Sequence, residues 1–229
     1  MIFNSLKSLT IPEGEVKSIS VNGMVLWSKS TGDYRDLYQR VKSITRPKSG
    51  GWFRTDFVAN NESGLELTFS VPSFSDTATM GSRESSVTNG RCYIFYPRAA
   101  TVGYIGWNSA QSWSVSTEAN TVYTTRLNWL NSRKAAILNA DGSTKATKSI
   151  SGALVQQTKP IDICTYNNGN GRAMTFYGAR LSQGDKIVRE YIPCYCKSDG
   201  KIGAFETFTQ TFIPNQEASG FTYSEEIGW

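Results

Sequence analysis

A two-sheet antiparallel β-sandwich closed as a jelly roll is the fold this all-β sequence predicts, and three observations predict it. From residue 52 onward the chain is a succession of short runs rich in β-branched and aromatic residues, parted by Gly, Pro, Asn and Asp, with no long helical periodicity. Aromatic residues make up 12% of the chain (6 Trp, 11 Tyr and 11 Phe) beside abundant Ser, Thr, Asn and Gly, a composition that suits pleated, half-buried surfaces. Asn22–Gly23 and Asp141–Gly142 each stand between two such runs, where a two-residue turn with positive φ joins antiparallel strands. The 229 residues leave room for one large domain and a small appendage. A chain of this length buries roughly 70% of its unfolded surface and needs no disulfides. No repeat of solenoid or propeller period is visible, and a jelly roll is the natural closure for about a dozen short strands.

Residues 1–30 read as an N-terminal attachment or linker module. Val16 to Val21 and Met24 to Trp27 flank Asn22–Gly23 as a β-hairpin. A lone hairpin is marginal in water, so it packs on the preceding Leu6, Leu9 and Ile11, on the main domain, or on a neighbouring subunit. Residues 31–51 follow as a short helix and linker. Asp33 or Thr31 caps a helix over 34–44, whose apolar positions Tyr34, Leu37, Tyr38, Val41 and Ile44 keep helical spacing, and residues 46–51 break the chain. The sandwich spans 52–229. Its expected strands are 52–59, 65–71 (Leu65, Leu67, Phe69 and Val71 on one face), 79–83, 91–96, 101–107, 123–130, 134–140, 161–166, 173–181, 186–193, 201–206 and 210–213. Pro193 lacks the N–H that a ladder needs and so marks a strand end or an edge. Ser198–Asp199–Gly200 suits a tight turn.

This closing meander carries the most specific wording. Tyr177–Gly178–Ala179–Arg180–Leu181, Val188–Arg189–Glu190–Tyr191–Ile192–Pro193–Cys194, Lys197–Ser198–Asp199–Gly200–Lys201–Ile202–Gly203–Ala204–Phe205, Phe212–Ile213–Pro214–Asn215 and Ser219–Gly220–Phe221 follow one another here. Together they resemble the C-terminal end of the concanavalin A-like (laminin-G-like) jelly rolls of bacteriophage and prophage tail or minor structural proteins. Tyr38–Gln39–Arg40–Val41–Lys42–Ser43–Ile44 is similar to the start of that domain, with Ser43 where a second tyrosine is usual, and Glu206 stands near the place of a customary aspartate. The hairpin wording from Ile19 to Trp27 resembles short units that precede or link domains in such proteins. The resemblance covers 34–228. It implies a virion protein of the tail fibre or baseplate, made in the bacterial cytoplasm, that binds and does not cut.

Composition narrows the chemistry. The chain has no histidine, which removes the Ser–His–Asp and Cys–His routes and every zinc site that uses imidazole. Cys92, Cys164, Cys194 and Cys196 are expected as free thiols. The last two share a strand face, too far apart for an easy bridge. The net charge of +5 comes from scattered cations. It suits weak attraction to anionic cell-wall polymers, and without a basic stripe no nucleic-acid partner is expected. No signal peptide, lipidation motif or transmembrane stretch is read in the sequence, so no membrane partner is expected.

The fold also hosts glucanases, which need paired carboxylates at set spacing, and no such pattern occurs here. The chain is therefore read as not an enzyme, with a glycan hydrolase kept as the third reading. No cofactor and no metal is expected: Asp76 with Thr77 and Thr79, or Asn167–Asn168 with Asn170, offer oxygens without forming a calcium motif. Two aromatic–amide segments are the candidate ligand-binding loops. One holds Trp107, Asn108, Gln111 and Trp113, the other Tyr166, Asn167, Asn168 and Arg172. An aromatic ring covers the apolar face of a pyranose while amides and guanidinium take its hydroxyls, although the same tryptophans serve equally as core rings. The expected partners are a host-surface glycan and other virion proteins, with a homo-oligomer possible. The alternative is a purely structural virion protein whose sandwich packs on its neighbours.

Overall fold

The structure is a computed structural model that describes residues 18–21, 24–28, 33–48, 50–84, 90–166, 171–216 and 220–229. The chain divides into two compact units, Met1–Leu37 and Tyr38–Trp229. In the first, β1 (Ser18–Val21) and β2 (Met24–Ser28) pair antiparallel with Val21 opposite Met24, which forms the expected hairpin. Its turn residues Asn22 and Gly23 lie outside the described residues, as do Thr31, Leu6, Leu9 and Ile11. Helix α1 is a single turn, Tyr34–Leu37, capped by Asp33, whose Oδ1 accepts the Arg35 N–H at 3.0 Å.

The helix expected over 34–44 ends there because the chain enters the main sheet. β3 (Tyr38–Arg40) and β4 (Ile44–Arg46) are strands of the second unit, which begins at Tyr38. After them come β5 (Phe53–Val58), β6 (Ser63–Ser70), β7 (Met80–Arg83), β8 (Arg91–Ala99), β9 (Val102–Ser114) and β10 (Tyr123–Leu127). A 3₁₀ turn at Trp129–Asn131 leads to β11 (Lys134–Leu138), β12 (Thr144–Ser149) and β13 (Pro160–Ile163). The chain closes with β14 (Met174–Gln183), β15 (Lys186–Cys196), β16 (Ile202–Glu206), β17 (Thr211–Pro214) and β18 (Thr222–Tyr223). No helix among the described residues is long and apolar enough to cross a membrane.

The strands form two antiparallel sheets packed as a sandwich. The larger runs β12–β11–β10–β6–β14–β15–β16–β17, with β4 pairing β14 and β18, and β3 pairing β15. The smaller runs β5–β13–β7–β8–β9. Leu65, Leu67 and Phe69 of β6 point inward as their alternation dictates. They pack with Phe53, Ile94, Phe95, Ile105, Trp107, Ile163, Phe176, Leu181 and Tyr191 in one core. Cys92, Cys164 and Cys194 are buried free thiols, and Cys196 is half-buried. Burial pushes the first three up to about 12.

Several local features depart from the expectation. Pro193 lies within β15, where its missing N–H costs nothing. The pairing with β14 has ended at Tyr191, that with β3 begins at Cys194, and its carbonyl takes the Val41 N–H at 3.1 Å. β9 folds back on itself. A straight strand of that length would span roughly 40 Å, yet Val115 N–H bonds the Thr101 carbonyl at 3.1 Å and Thr117 N–H bonds that of Ala100 at 2.7 Å. Asn108, at φ 59°, lies at the reversal. At the end of the chain, β18 pairs β4, Glu226 bridges Val41, and Ile227 N–H bonds the Arg40 carbonyl at 3.0 Å, so the tail is stitched to the first strands of the sandwich.

Candidate functional site

Asn108 and Arg172, polar candidates from the two aromatic–amide segments, lie apart. Asn108 faces Arg91 at the start of β8, whereas Arg172 binds the Pro97 carbonyl at 2.9 Å near the end of that strand. The segment 107–113 lies within β9 and is not a loop. Trp107 is 1% exposed and Trp113 is 7% exposed, and both rings belong to the core. Trp113 meets Phe95 edge-on at 5.6 Å, and Trp107 donates its Nε1–H to the Gly152 carbonyl at 2.9 Å under the Arg133 guanidinium. The Asn108 amide holds the segment beside it: its Nδ2 donates to the Ala153 carbonyl and its Oδ1 accepts the Val155 N–H at 2.7 Å. Gln111 is half-buried on the same ribbon. Arg172 is buried and donates to the carbonyls of Ser73, Ser75 and Pro97. Asn167 and Asn168 lie outside the described residues. Of the expected set, only Tyr166 joins an aromatic surface.

That surface is on the outer face of the smaller sheet and arises from a β-bulge. Tyr93 pairs with Gly106 and Tyr96 with Tyr104, so Ile94 and Phe95 together face Ile105 alone. Two residues opposite one reset the alternation. Ile94 and Phe95 both enter the core, and Tyr93 and Tyr96, three positions apart, both point outward. Tyr93 lies flat between glycines on its neighbouring strands. A Cβ at Gly106 would come within 2.7 Å of its ring, and one at Gly81 within 2.4 Å of its Cβ. The rings form a continuous strip: Tyr166 to Tyr93 at 5.8 Å, Tyr93 to Tyr96 at 5.6 Å, and Tyr96 stacked on Tyr104 at 5.5 Å. Ala78 and Ala110 fill its margins.

Polar groups border one end of the strip. The Arg98 guanidinium sits 5.4 Å from the Tyr104 ring centre, and its Nη1 donates to the Tyr104 hydroxyl at 2.9 Å. Asp76 accepts the Tyr96 hydroxyl at 3.2 Å and lies 3.8 Å from the Arg98 Nε. Burial raises the Tyr93 and Tyr96 phenols above their ordinary value, with the neighbouring tyrosine and Asp76 adding to the rise at Tyr96. Both hydroxyls therefore stay protonated at neutral pH and can donate. Tyr104 and Tyr166 remain half-exposed above the buried pair. The arrangement offers to solvent the half-exposed rings of Tyr104 and Tyr166, together with the Arg98 guanidinium and the Asp76 carboxylate, over a buried tyrosine pair.

The oxygens around Asp76, which the sequence offers without a calcium motif, are engaged elsewhere. Thr79 donates to the Phe95 carbonyl at 3.2 Å and Thr77 bonds Ser75 at 3.0 Å, so these oxygens do not converge with the Asp76 carboxylate. Among the described residues no group of three His, Cys, Asp or Glu side chains could hold a metal ion. The larger sheet carries a polar row across its outer face. Glu66 receives Arg126 Nε and Arg180 Nε, each at 2.6 Å, and both guanidinium groups lie over Trp129. Each Glu66 oxygen is committed to a guanidinium, and the row ties three strands together. Glu206 takes the N–H groups of Phe208 at 3.0 Å and Thr209 at 2.6 Å, which shapes the β16–β17 turn.

Against known protein families and curated proteins, the chain shows no match in either comparison.

Proposed function

We propose that the sandwich is a non-catalytic glycan-binding module of a phage or prophage virion, a tail fibre or baseplate component, and that it is a concanavalin A-like jelly roll. The virion setting and the jelly roll rest on the wording of the closing meander and of 38–44. The binding reading rests on one observation: the strip Tyr166–Tyr93–Tyr96–Tyr104, continued by Arg98, is an aromatic cluster apart from the main core, in which the buried Tyr93 and Tyr96 back the half-exposed Tyr166 and Tyr104 and hydrogen-bonding groups line the border. Half-exposed phenol rings cover the apolar face of a sugar at little entropic cost, and the border groups select its hydroxyls. Tyr93, Tyr96 and Tyr104 lie on the paired strands β8 and β9, so that part of the strip is pre-organised.

The test is retention of the full-length protein on host cells and a glycan array, beside Tyr104→Ala and Arg98→Ala. Each variant is expected to lose at least about tenfold in affinity, about 1.4 kcal/mol, with an unchanged far-ultraviolet spectrum. Wild-type protein that binds no host surface would turn the assignment to the purely structural virion reading. Release of reducing sugar from host polysaccharide would turn it to the hydrolase.

A further inference from the structure

Near the strip, along residues 73–77, is a cavity of about 250 Å³ whose polar lining is Lys48, Ser73, Ser75, Thr77 and Arg172, with Phe74 and Ala173 among its apolar walls. Its charge is one-sided. Arg172 is 3% exposed and, among the described residues, gives its Nη groups only to the carbonyls of Ser73, Ser75 and Pro97, which satisfy donors and carry no net charge. Its buried Nε has no hydrogen-bond partner among the described residues. A buried cation without a counter-ion is costly. Burial alone lowers the Arg172 guanidinium to about 10. The one carboxylate in 73–77, Asp76, is turned toward Tyr96 and Arg98. Lys48 is exposed at the rim, and its ammonium has no partner among the described residues. The hydroxyls of Ser75 and Thr77 bond each other at 3.0 Å and keep further capacity.

We infer that this cavity is a phosphate subsite, in which Lys48 and the Ser73, Ser75 and Thr77 hydroxyls take the oxygens while Arg172 supplies fixed positive charge beneath. A tetrahedral oxyanion offers enough acceptors for donors of this number, and Lys binds it as a point charge. The strip and the cavity share one segment, since Arg172 holds the Ser75 carbonyl and Asp76 holds the Tyr96 hydroxyl. The phosphate is therefore that of a phosphodiester-bearing glycan laid on the tyrosines, a step that rests on the glycan reading, or it is free phosphate.

The experiment separates these. The full-length protein is titrated with inorganic phosphate at constant ionic strength and followed by the Nε–H resonances of ¹⁵N-arginine-labelled protein. A saturable, phosphate-specific shift is expected, weakened about fivefold in Lys48→Ala and abolished in Lys48→Glu, both with unchanged melting temperatures. Shifts reproduced by chloride, or indifferent to Lys48, overturn the subsite. In parallel, a phosphodiester-bearing bacterial polysaccharide is compared with its dephosphorylated form. Tighter binding of the intact polymer, levelled by Lys48→Glu, identifies the glycan phosphate as the occupant. Phosphate binding with neither polymer retained keeps the subsite as one for free phosphate and removes the glycan reading. Equal binding of both polymers with no phosphate shift keeps the glycan reading and removes the subsite.

Discussion

Gly106 and Trp107 are neighbours on one strand and serve opposite faces of the sheet. Trp107 fills the core and Gly106 makes room for Tyr93 outside it. Trp107→Ala is expected to cost about 3–5 kcal/mol of stability by opening a cavity, measured by urea denaturation, and to leave the affinity of the folded fraction unchanged. Gly106→Ala should cost about 1–3 kcal/mol, because the new methyl lifts the Tyr93 ring, and should also weaken glycan binding. Equal affinity in Gly106→Ala and wild type would separate Tyr93 from the ligand surface. The sequence gives Trp107 the two roles of stacking ring and core ring with nothing to decide between them, since an indole beside amides looks alike in both. Tyr93 and Tyr96 escape the reading for another reason. Strict alternation puts Tyr93 on one face with Phe95 and Tyr96 on the other, and only the bulge brings the two tyrosines together. The glycines at 103 and 106 are the legible trace of that arrangement, because aromatic rings lie over both.

At the scale of elements, the strands with a mixed apolar and β-branched pattern are legible and the others are not. β6 is read correctly from Leu65, Leu67 and Phe69. β12 is Thr–Lys–Ala–Thr–Lys–Ser, an exposed edge with no apolar stripe, and only Asp141–Gly142 announces it. The segment 34–44 satisfies a helical spacing, yet residues 38–46 join the ladders of β14 and β15, where tertiary pairing overrides local periodicity. The fold-back of β9 has its own test. Asn108→Gly and Asn108→Ala both lose the bonds to Ala153 and Val155, but only alanine pays for the left-handed backbone. The glycine variant is expected to be more stable by about 1 kcal/mol, read as the difference in denaturation midpoints. Equal midpoints would show that the reversal relaxes away from φ 59°.

For the whole molecule, stability is expected to narrow at both ends of the pH scale. Arg189 holds the Asp56 carboxylate below its ordinary value. Glu84 is raised by burial but brought below its ordinary value overall by the Thr158 hydroxyl and the Thr158 and Lys159 N–H groups. Their contribution is present above the usual carboxylate range, near pH 4, and is lost as pH falls through the folded values. The phenols of Tyr93, Tyr96 and Tyr191 are raised by burial. Their contribution is full below about pH 10 and disappears as pH rises toward the folded values. Melting temperatures should therefore hold steady near neutrality and fall on both flanks. On the alkaline flank, absorbance at the phenolate band should rise together with loss of the far-ultraviolet spectrum. Phenolate appearing well before unfolding would contradict the burial of these rings. The stitching of 222–227 to Val41, Lys42 and Ser43 also sets the order in which the chain can be pulled apart. Tension entering at Tyr38 meets the larger sheet at a seam where the tail must first be peeled away, while the tyrosines ride on the other sheet. Residues 38–46 therefore leave the larger sheet only after that zipper gives.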